Sequence, residues 1–392
     1  MLVNRLPYPL DDGWKVRTFH LLRALARRSS VVVVCSTDVS PAEFLVALGG
    51  DACVRSVQPP RRYTFSQLAL GLVSRLPLYV HIEASRAFRA AARIEIEKGC
   101  QVVLCELTAM YEHVRSLGID DRIVIDTHNI DSIVFERYAR TQPTWLRRLY
   151  ARVTAAKMRA YESDVFRRVR AVIVCSDEES AHLETRVHGA PVWVVPNGAE
   201  LSSSAVADQP DPERLFFFGR LDYHPNRDAM EYFLEQVLPR VRSIRPSVEL
   251  HVAGADNGTV EHMLAQAAGT RYYGRVKDLA PELAASALVI VPLRLGGGTR
   301  LKILEAMAAG RPVISSTVGA EGLQVTDGLD IVLADDAESF AAAIVRLLED
   351  PQTAARIGAE GRRTVERLYS WSALEELFAR RLLGDECEGT AV

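Results

Sequence analysis

Hydrophobic and polar positions along the chain alternate between two periods. Short apolar runs rich in β-branched residues read as strands: Val31–Cys35, Val102–Cys105, Ile123–Asp126, Ala171–Cys175 and Val192–Val195. Between them, helical patterns lie near 14–28, 64–75, 83–98, 131–140 and 145–169. This βαβ rhythm predicts a parallel sheet with helices on both faces. The first strand is short. Only Leu2-Val3 precedes the turn at Pro7–Gly13, which suggests a strand clipped at its start.

The rhythm then breaks and restarts. Residues 202–212, SSSAVADQPDP, are small, polar and proline-containing, and read as an exposed connection. Strands follow at Leu215–Phe218, Val248–Ala253, Leu288–Val291, Val313–Ser315 and Ile331–Leu333. Helices near 226–243, 260–267, 300–309, 337–349 and 352–368 alternate with them, and an amphipathic stretch, Trp371–Leu383, closes the pattern behind a candidate N-cap, Ser370. The expected organisation is an N-terminal Rossmann-like domain over 1–198, a second over 199–368, and a C-terminal helix within 369–392 that packs back toward the first. Ligands of such open α/β sheets bind at the C-terminal strand ends, so a central cleft between the two domains is the expected site.

A length of 392 residues suits two domains, and 48% apolar with 25% charged residues excludes disordered, collagen-like and coiled-coil classes. The formal charge is −3, but unevenly spread: residues 1–200 carry 27 Lys+Arg against 22 Asp+Glu, and the rest carry 20 against 28. That asymmetry reads either as different faces meeting different partners or as two unrelated solvated surfaces. None of the six cysteines forms a C-x-x-C pair or zinc spacing; Cys35, Cys105 and Cys175 end buried strands and read as core thiols in a reducing compartment. No signal-peptide pattern opens the chain and no apolar run approaches the ~20 residues of a membrane span, so a cytoplasmic protein is expected.

The strongest motif runs from Leu288 to Leu323. A buried strand leads into Gly296-Gly297-Gly298; Thr299 then caps a helix carrying Arg300, Lys302 and Glu305. Three glycines let backbone N–H groups approach a ligand closely. A helix N-terminus and two cationic side chains add positive charge, which together suit a phosphate or diphosphate. The spacing is neither a Walker loop nor G-x-G-x-x-G.

This segment resembles the donor-binding signature of GT-B glycosyltransferases of family four, the glycosyl transferases group 1 family. Its closing Glu-Ala-Met-Ala-x-Gly-x-Pro-Val is matched from Glu305 to Val313. Further matches are Phe217-Phe218-Gly219-Arg220-Leu221-Asp222, Val195-Pro196-Asn197-Gly198 and Tyr273-Gly274-Arg275-Val276. In the first half, Pro7-Tyr8-Pro9 with Gly13, Arg17 and Leu21-Leu22, and Asp126-Thr127-His128-Asn129, are similar to a subgroup associated with exopolysaccharide synthesis.

The resemblance implies an α/β fold of GT-B type, two Rossmann-like doubly wound parallel-sheet domains facing a central cleft. It implies that Glu305 binds the nucleotide ribose, that Arg220 binds the diphosphate, and that the backbone at Val276 meets the base. Gly13, the loop Gly296, Gly297, Gly298 and Thr299, and Arg300 and Leu301 complete the donor set. His128 would lie near the donor sugar and, with Arg220 and Lys302, forms the catalytic set; a histidine at a strand end, taken alone, reads as a structural residue. Two departures stand out. The first glutamate of the family's E-x7-E pattern is replaced by Gly297, and the lysine common after Gly-Arg-Leu-Asp is absent from Tyr223-His224-Pro225-Asn226-Arg227, leaving Lys302 or Arg300 to take over its phosphate contact.

The chain contains no Asp-x-Asp, the motif that holds a metal in GT-A enzymes, so positive side chains and a helix terminus are expected to stabilise the departing diphosphate without metal or other cofactor. The implied activity is retaining, metal-independent transfer of a sugar from a nucleotide diphosphate-sugar to a lipid-linked or polysaccharide acceptor, as in cell-surface glycan synthesis. The alternatives are a GT-B nucleotide-sugar epimerase and a catalytically weak sugar-nucleotide-binding partner protein. No nucleic acid is among the expected partners.

Two segments remain. Residues 137–170 hold ten Lys+Arg against Glu162 and Asp164. They read either as a solvated helical face or as a contact for an anionic membrane surface, where each charge gains roughly 1 kcal/mol; the latter would make the protein peripheral at the inner face of the cytoplasmic membrane. The apolar stretch Tyr63–Val80 reads as a core helix, an acceptor wall or an interfacial segment.

Overall fold

The computed structural model describes residues 1–59, 64–142, 144–185, 189–201, 210–295 and 301–384. It divides into two units, Met1–Pro196 with the chain from Ser372 onward, and Asn197–Trp371.

Seven parallel strands form the sheet of the first unit: β1 (Leu2–Arg5), β2 (Val31–Ser36), β3 (Ala52–Val57), β4 (Val103–Glu106), β5 (Ile123–Asp126), β6 (Ala171–Val174) and β7 (Val192–Val194). Their order is β3-β2-β1-β4-β5-β6-β7. The chain reverses direction across the sheet between β1 and β4, the switch point at which such sheets bind ligands. β1 is short but central: Leu2 pairs with Val34 on one side and Cys105 on the other. Because side chains alternate across a strand, one run of apolar residues feeds two cores. Ile123 and Ile125 of β5 enter the core on one face, and Val124 enters the core on the other. The three strand-end thiols are buried, and burial pushes each up to about 12.

The helix Trp371–Leu383 completes this unit. Phe378, Ala379 and Leu382 join the core that holds Val33, Leu104 and Val124. Glu375 anchors the helix by accepting from His20 Nδ1 and Arg23 Nε, each at 2.8 Å, and from Arg27 at 3.2 Å. Burial alone would push the Glu375 carboxyl up, yet these bonds hold it below the usual range.

The second unit has six parallel strands: β8 (Asp211–Phe218), β9 (Glu249–Ala253), β10 (Thr270–Tyr272), β11 (Ser286–Val291), β12 (Val313–Ser315) and β13 (Val332–Leu333). Their order, β10-β9-β8-β11-β12-β13, repeats the pattern of the first sheet and places its switch between β8 and β11. β8 begins at Asp211, so Asp211-Pro212 belong to the sheet and not to the expected connection, of which 202–209 lie outside the described residues.

The helix expected over 226–243 is three pieces: His224–Tyr232, a π turn at Phe233–Val237, and Leu238–Ile244. Pro239 explains the irregularity, since it lacks an N–H and its ring crowds the carbonyl four residues earlier. Likewise the pattern near 83–98 is two helices, Leu78–Glu83 and Arg86–Glu97. Ser85 caps the second by accepting from Phe88 N.

Candidate active site

Each sheet carries one set of functional groups at its C-terminal edge. In the first unit the set is built on adjacent strand ends. β4 and β5 run parallel with Glu106 opposite Asp126, so the last residue of β4 and the turn after β5 share one edge. Helix Gly13–Ala26 crosses that edge and supplies Arg17, which is fully buried. Its guanidinium donates to Asp126 at 2.6 Å and to the Val195 carbonyl at 2.8 Å. Burial disfavours the charged guanidinium, but Asp126 beside it more than offsets that and holds it firmly protonated. Arg17 and Asp126 thus form an internal brace that fixes the β5 terminus, and neither is open to a ligand.

Beyond the brace, Glu106 organises His128. The Glu106 carboxylate is 1% exposed and accepts from Asn4 N at 3.1 Å and Thr18 Oγ1 at 2.9 Å. His128 Nε2 lies 3.1 Å from the same carboxylate. A carboxylate can only accept, so Nε2 is the donor in this contact, which leaves Nδ1 for a ligand. His128 remains 13% exposed. Next to it, Asn129 Oδ1 is buried without a hydrogen-bond partner among the described residues, a costly condition in water-free surroundings.

A second acidic pair sits nearby. Burial pushes Asp131 up to about 6, partly opposed by His128; burial and then Asp131 push Glu162 up to about 8. Glu162 accepts from Ser132 N at 3.2 Å, at the start of helix Asp131–Thr141. Gly13 is the first residue of its helix.

In the second unit, β8 ends in Gly219-Arg220. Gly219 has φ +136 and sits against its neighbours: a Cβ there would lie 3.1 Å from both Asn226 Nδ2 and Lys302 Nζ. Gly254, at the end of β9, is equally constrained, since a Cβ would fall 1.9 Å from the Gly219 carbonyl oxygen. Glycine at these two positions lets the β8 and β9 turns close on each other.

Lys302 comes from helix Leu301–Ala308, which follows the β11 edge. Its ammonium lies 4.1 Å from the Phe217 ring centroid and donates to Asn226 Oδ1 at 2.8 Å. Asn226 in turn donates from Nδ2 to the Arg220 carbonyl at 2.7 Å. One buried amide therefore fixes both the lysine and the turn. Glu305, one helical turn after Lys302, is partly buried, and its carboxylate has no hydrogen-bond or ion-pair partner among the described residues. Burial pushes it up, while Lys302 pulls it down. The Arg220 guanidinium is turned onto Asp222, with contacts of 3.0 and 2.9 Å, and holds that carboxyl below the usual range. Val276 lies in the turn after β10 and packs on the core, as does Leu301. The loop residues Gly296, Gly297, Gly298, Thr299 and Arg300 lie outside the described residues.

Comparison with known proteins fits this edge. Residues 212–350 match the family described as glycosyl transferases group 1. The second unit is a group 1 glycosyltransferase domain. The chain is 32% identical over 203 residues to the phosphatidyl-myo-inositol mannosyltransferase of Mycolicibacterium smegmatis, covering 49% of this chain and 52% of that protein. It spans about half the length of the first curated relatives it matches, 41–53%. Sucrose-phosphate synthase from Thermosynechococcus elongatus superposes with a TM-score of 0.69 at 20% identity, covering 97% of this chain and 96% of that one. HepE of Anabaena, in complex with UDP and glucose, does so with a TM-score of 0.67 at 14% identity, over 97% and 98%. The fold of the chain is thus GT-B, two Rossmann-like parallel-sheet units.

The structure brings Arg220, Lys302 and Glu305 to one edge of one sheet, and places His128 on the edge of the other. Sequence reasoning missed Glu106, the partner of His128, and Asn226, the partner of Lys302. Glu106 carried a signal, since it ends an apolar run next in order to the one that leads to His128. Asn226 carried none, lying 76 residues from the lysine it holds.

Proposed function

We propose that the protein transfers a sugar, with retention and without a metal, from a nucleotide diphosphate-sugar to a lipid-linked or polysaccharide acceptor in cell-surface glycan synthesis. The observation that carries the reading is the Gly219–Arg220, Asn226, Lys302 and Glu305 cluster at the β8/β11 switch of the family-matched unit. A fixed ammonium beside a turn without side-chain bulk suits a diphosphate. Glu305, one turn along the helix and without a hydrogen-bond partner among the described residues, suits the two ribose hydroxyls. Arg220 is half exposed and exchanges Asp222 for a phosphate oxygen when the donor arrives. That UDP and glucose occupy the structurally similar HepE is consistent with a donor of this class.

In the reaction, the acceptor oxygen bonds to the anomeric carbon as the bond to the diphosphate breaks. The leaving group takes the electron pair, and Lys302 stabilises the growing charge. The acceptor hydroxyl releases its proton to the leaving oxygen or to solvent. His128, its Nε2 committed to Glu106, presents Nδ1 to a sugar hydroxyl and steadies the electron-poor sugar ring. The test is a panel of sugar nucleotides, followed by release of free nucleotide diphosphate with and without glycan acceptors and EDTA. Acceptor-dependent release that survives EDTA supports the reading. Interconversion of donor sugars without acceptor identifies an epimerase, and binding without release identifies a non-catalytic sugar-nucleotide protein.

A further inference from the structure

Helix Trp145–Phe166 presents two apolar faces. Ala151, Met158, Val165 and Phe166 turn inward and are buried. On the other side Trp145, Leu146, Leu149, Tyr150 and Val153 are exposed, Trp145 at 70% and Leu146 at 60%. At 100° per residue these five fall within an arc of about 140°, a continuous stripe along the first half of the helix. No packing inside the unit explains them. The stripe continues sideways: Lys157, four residues after Val153, donates to the Gly71 carbonyl at 2.8 Å. It thereby ties in helix Phe65–Val73, whose Phe65 and Val73 are more than 80% exposed. Among the described side chains of that helix none is buried, where its composition suggests a core helix.

Beside the stripe, helices Asp131–Thr141 and Trp145–Phe166 enclose a groove of about 270 Å³. Arg140, Arg152 and Arg159 line it together with Glu136. Glu136 is paired with Arg159, while Arg140 and Arg152, like the neighbouring Arg147, have no carboxylate partner among the described residues. The other acids of the segment are spent: Asp164 is held by Arg115 and Arg168, and Glu162 is buried. The surface is thus apolar and aromatic at its centre and, with three arginines against one glutamate, net cationic at its margin.

We propose that this face of helix Trp145–Phe166 and the adjoining arginine groove form a docking surface for an anionic phospholipid bilayer. The stripe enters the headgroup–acyl boundary and the groove receives a lipid phosphate. An aromatic-containing apolar arc flanked by arginines is the pattern of helices that lie in a bilayer interface. A second copy of this chain fits less well, because a two-fold pairing of this face would set arginine against arginine. The inference goes beyond the transfer reaction, and its test needs no sugar donor.

The test is flotation of the full chain with phosphatidylcholine vesicles, with and without phosphatidylglycerol. Wild type should float only with the phosphatidylglycerol vesicles, and less so as salt rises. The Trp145 component of the emission, taken as the difference from Trp145→Phe, should shift to the blue on binding. Each surface charge near an anionic leaflet contributes about fivefold, so the Arg140→Glu/Arg152→Glu pair should weaken binding by at least about twentyfold. Leu149→Glu/Val153→Glu should abolish the emission shift. All four residues are exposed, so melting temperatures should be unchanged. Flotation of wild type and both pairs alike, or none with either vesicle, would overturn the proposal. So would a soluble dimer that the stripe variant dissociates.

Discussion

Replacing Asn226 by alanine tests the diphosphate half of the site through a residue that touches no ligand. Asn226 is 7% exposed and makes two side-chain bonds, accepting from Lys302 at 2.8 Å and donating to the Arg220 carbonyl at 2.7 Å. The bond to the lysine is charge-assisted, and the one to the carbonyl is neutral. Lys302 can recover water when freed, so the lower ends of the usual ranges apply, giving about 1–3 kcal/mol of lost stability in all. The effect on binding is separate. A released ammonium must be reordered by the diphosphate, which should weaken UDP or GDP binding by roughly tenfold, about 1.4 kcal/mol. The assay is calorimetric titration of Asn226→Ala, Lys302→Met and the double variant, with melting curves of each. Asparagine acts on the nucleotide through the lysine, so in the Lys302→Met background Asn226→Ala should still lower the melting temperature yet change affinity less than twofold. Fully additive losses of affinity would refute the reasoning, and would mean that Asn226 contacts the nucleotide itself or that Lys302 does not.

Four further outcomes are expected. Glu305→Gln should raise the donor KM well above tenfold while leaving stability within about 0.5 kcal/mol, since burial already disfavours its charge; early melting with intact donor affinity would make Glu305 structural. Arg220→Ala should weaken nucleotide diphosphate binding by about ten- to a hundredfold by calorimetry. His128→Ala should lower kcat at least about a hundredfold in single-turnover measurements without changing nucleotide diphosphate affinity. Glu162 holds its proton up to about pH 8 in the folded chain, whereas the unfolded chain releases it near pH 4–5, so stability drains away as pH rises through that window. Glu162→Gln escapes the loss, and its advantage in melting experiments should grow steadily from pH 5 to pH 8; a constant difference across that range would contradict the buried-acid assignment.

Strands buried on both faces were the most legible part of the fold. Ile123–Ile125 of β5, all of β6 and Leu288–Val291 of β11 are apolar without interruption because both faces of these strands are buried. The two strands that escaped notice are edges. β3, ACVRSV, exposes Cys53, Arg55 and Ser56, and β10 is three residues long. With a neighbour on one side only, neither needed a continuous apolar run. The helix 226–243 was legible in position but not in regularity, because Pro239 acts on the hydrogen-bond ladder rather than on the apolar pattern. At the site, Arg220, Lys302 and Glu305 were visible through motif and charge. What local spacing cannot carry is which distant residue fixes them. Glu106 lies 22 residues from His128 and Asn226 lies 76 from Lys302, and strand pairing alone makes them neighbours.

Helix Trp371–Leu383 closes the core of a unit whose seven strands were all made before residue 196. As the chain leaves the ribosome, the second unit emerges in one continuous stretch and can fold as soon as it is free. The first cannot: the ground for Phe378, Leu382 and the Glu375 anchor lies open until helix Trp371–Leu383 has been made. The first unit, begun earlier, is therefore expected to mature after the second. Stopping translation after Trp371 would harm the distant N-terminal sheet while sparing the unit just completed, so proteolysis of such a product should erode it from its beginning.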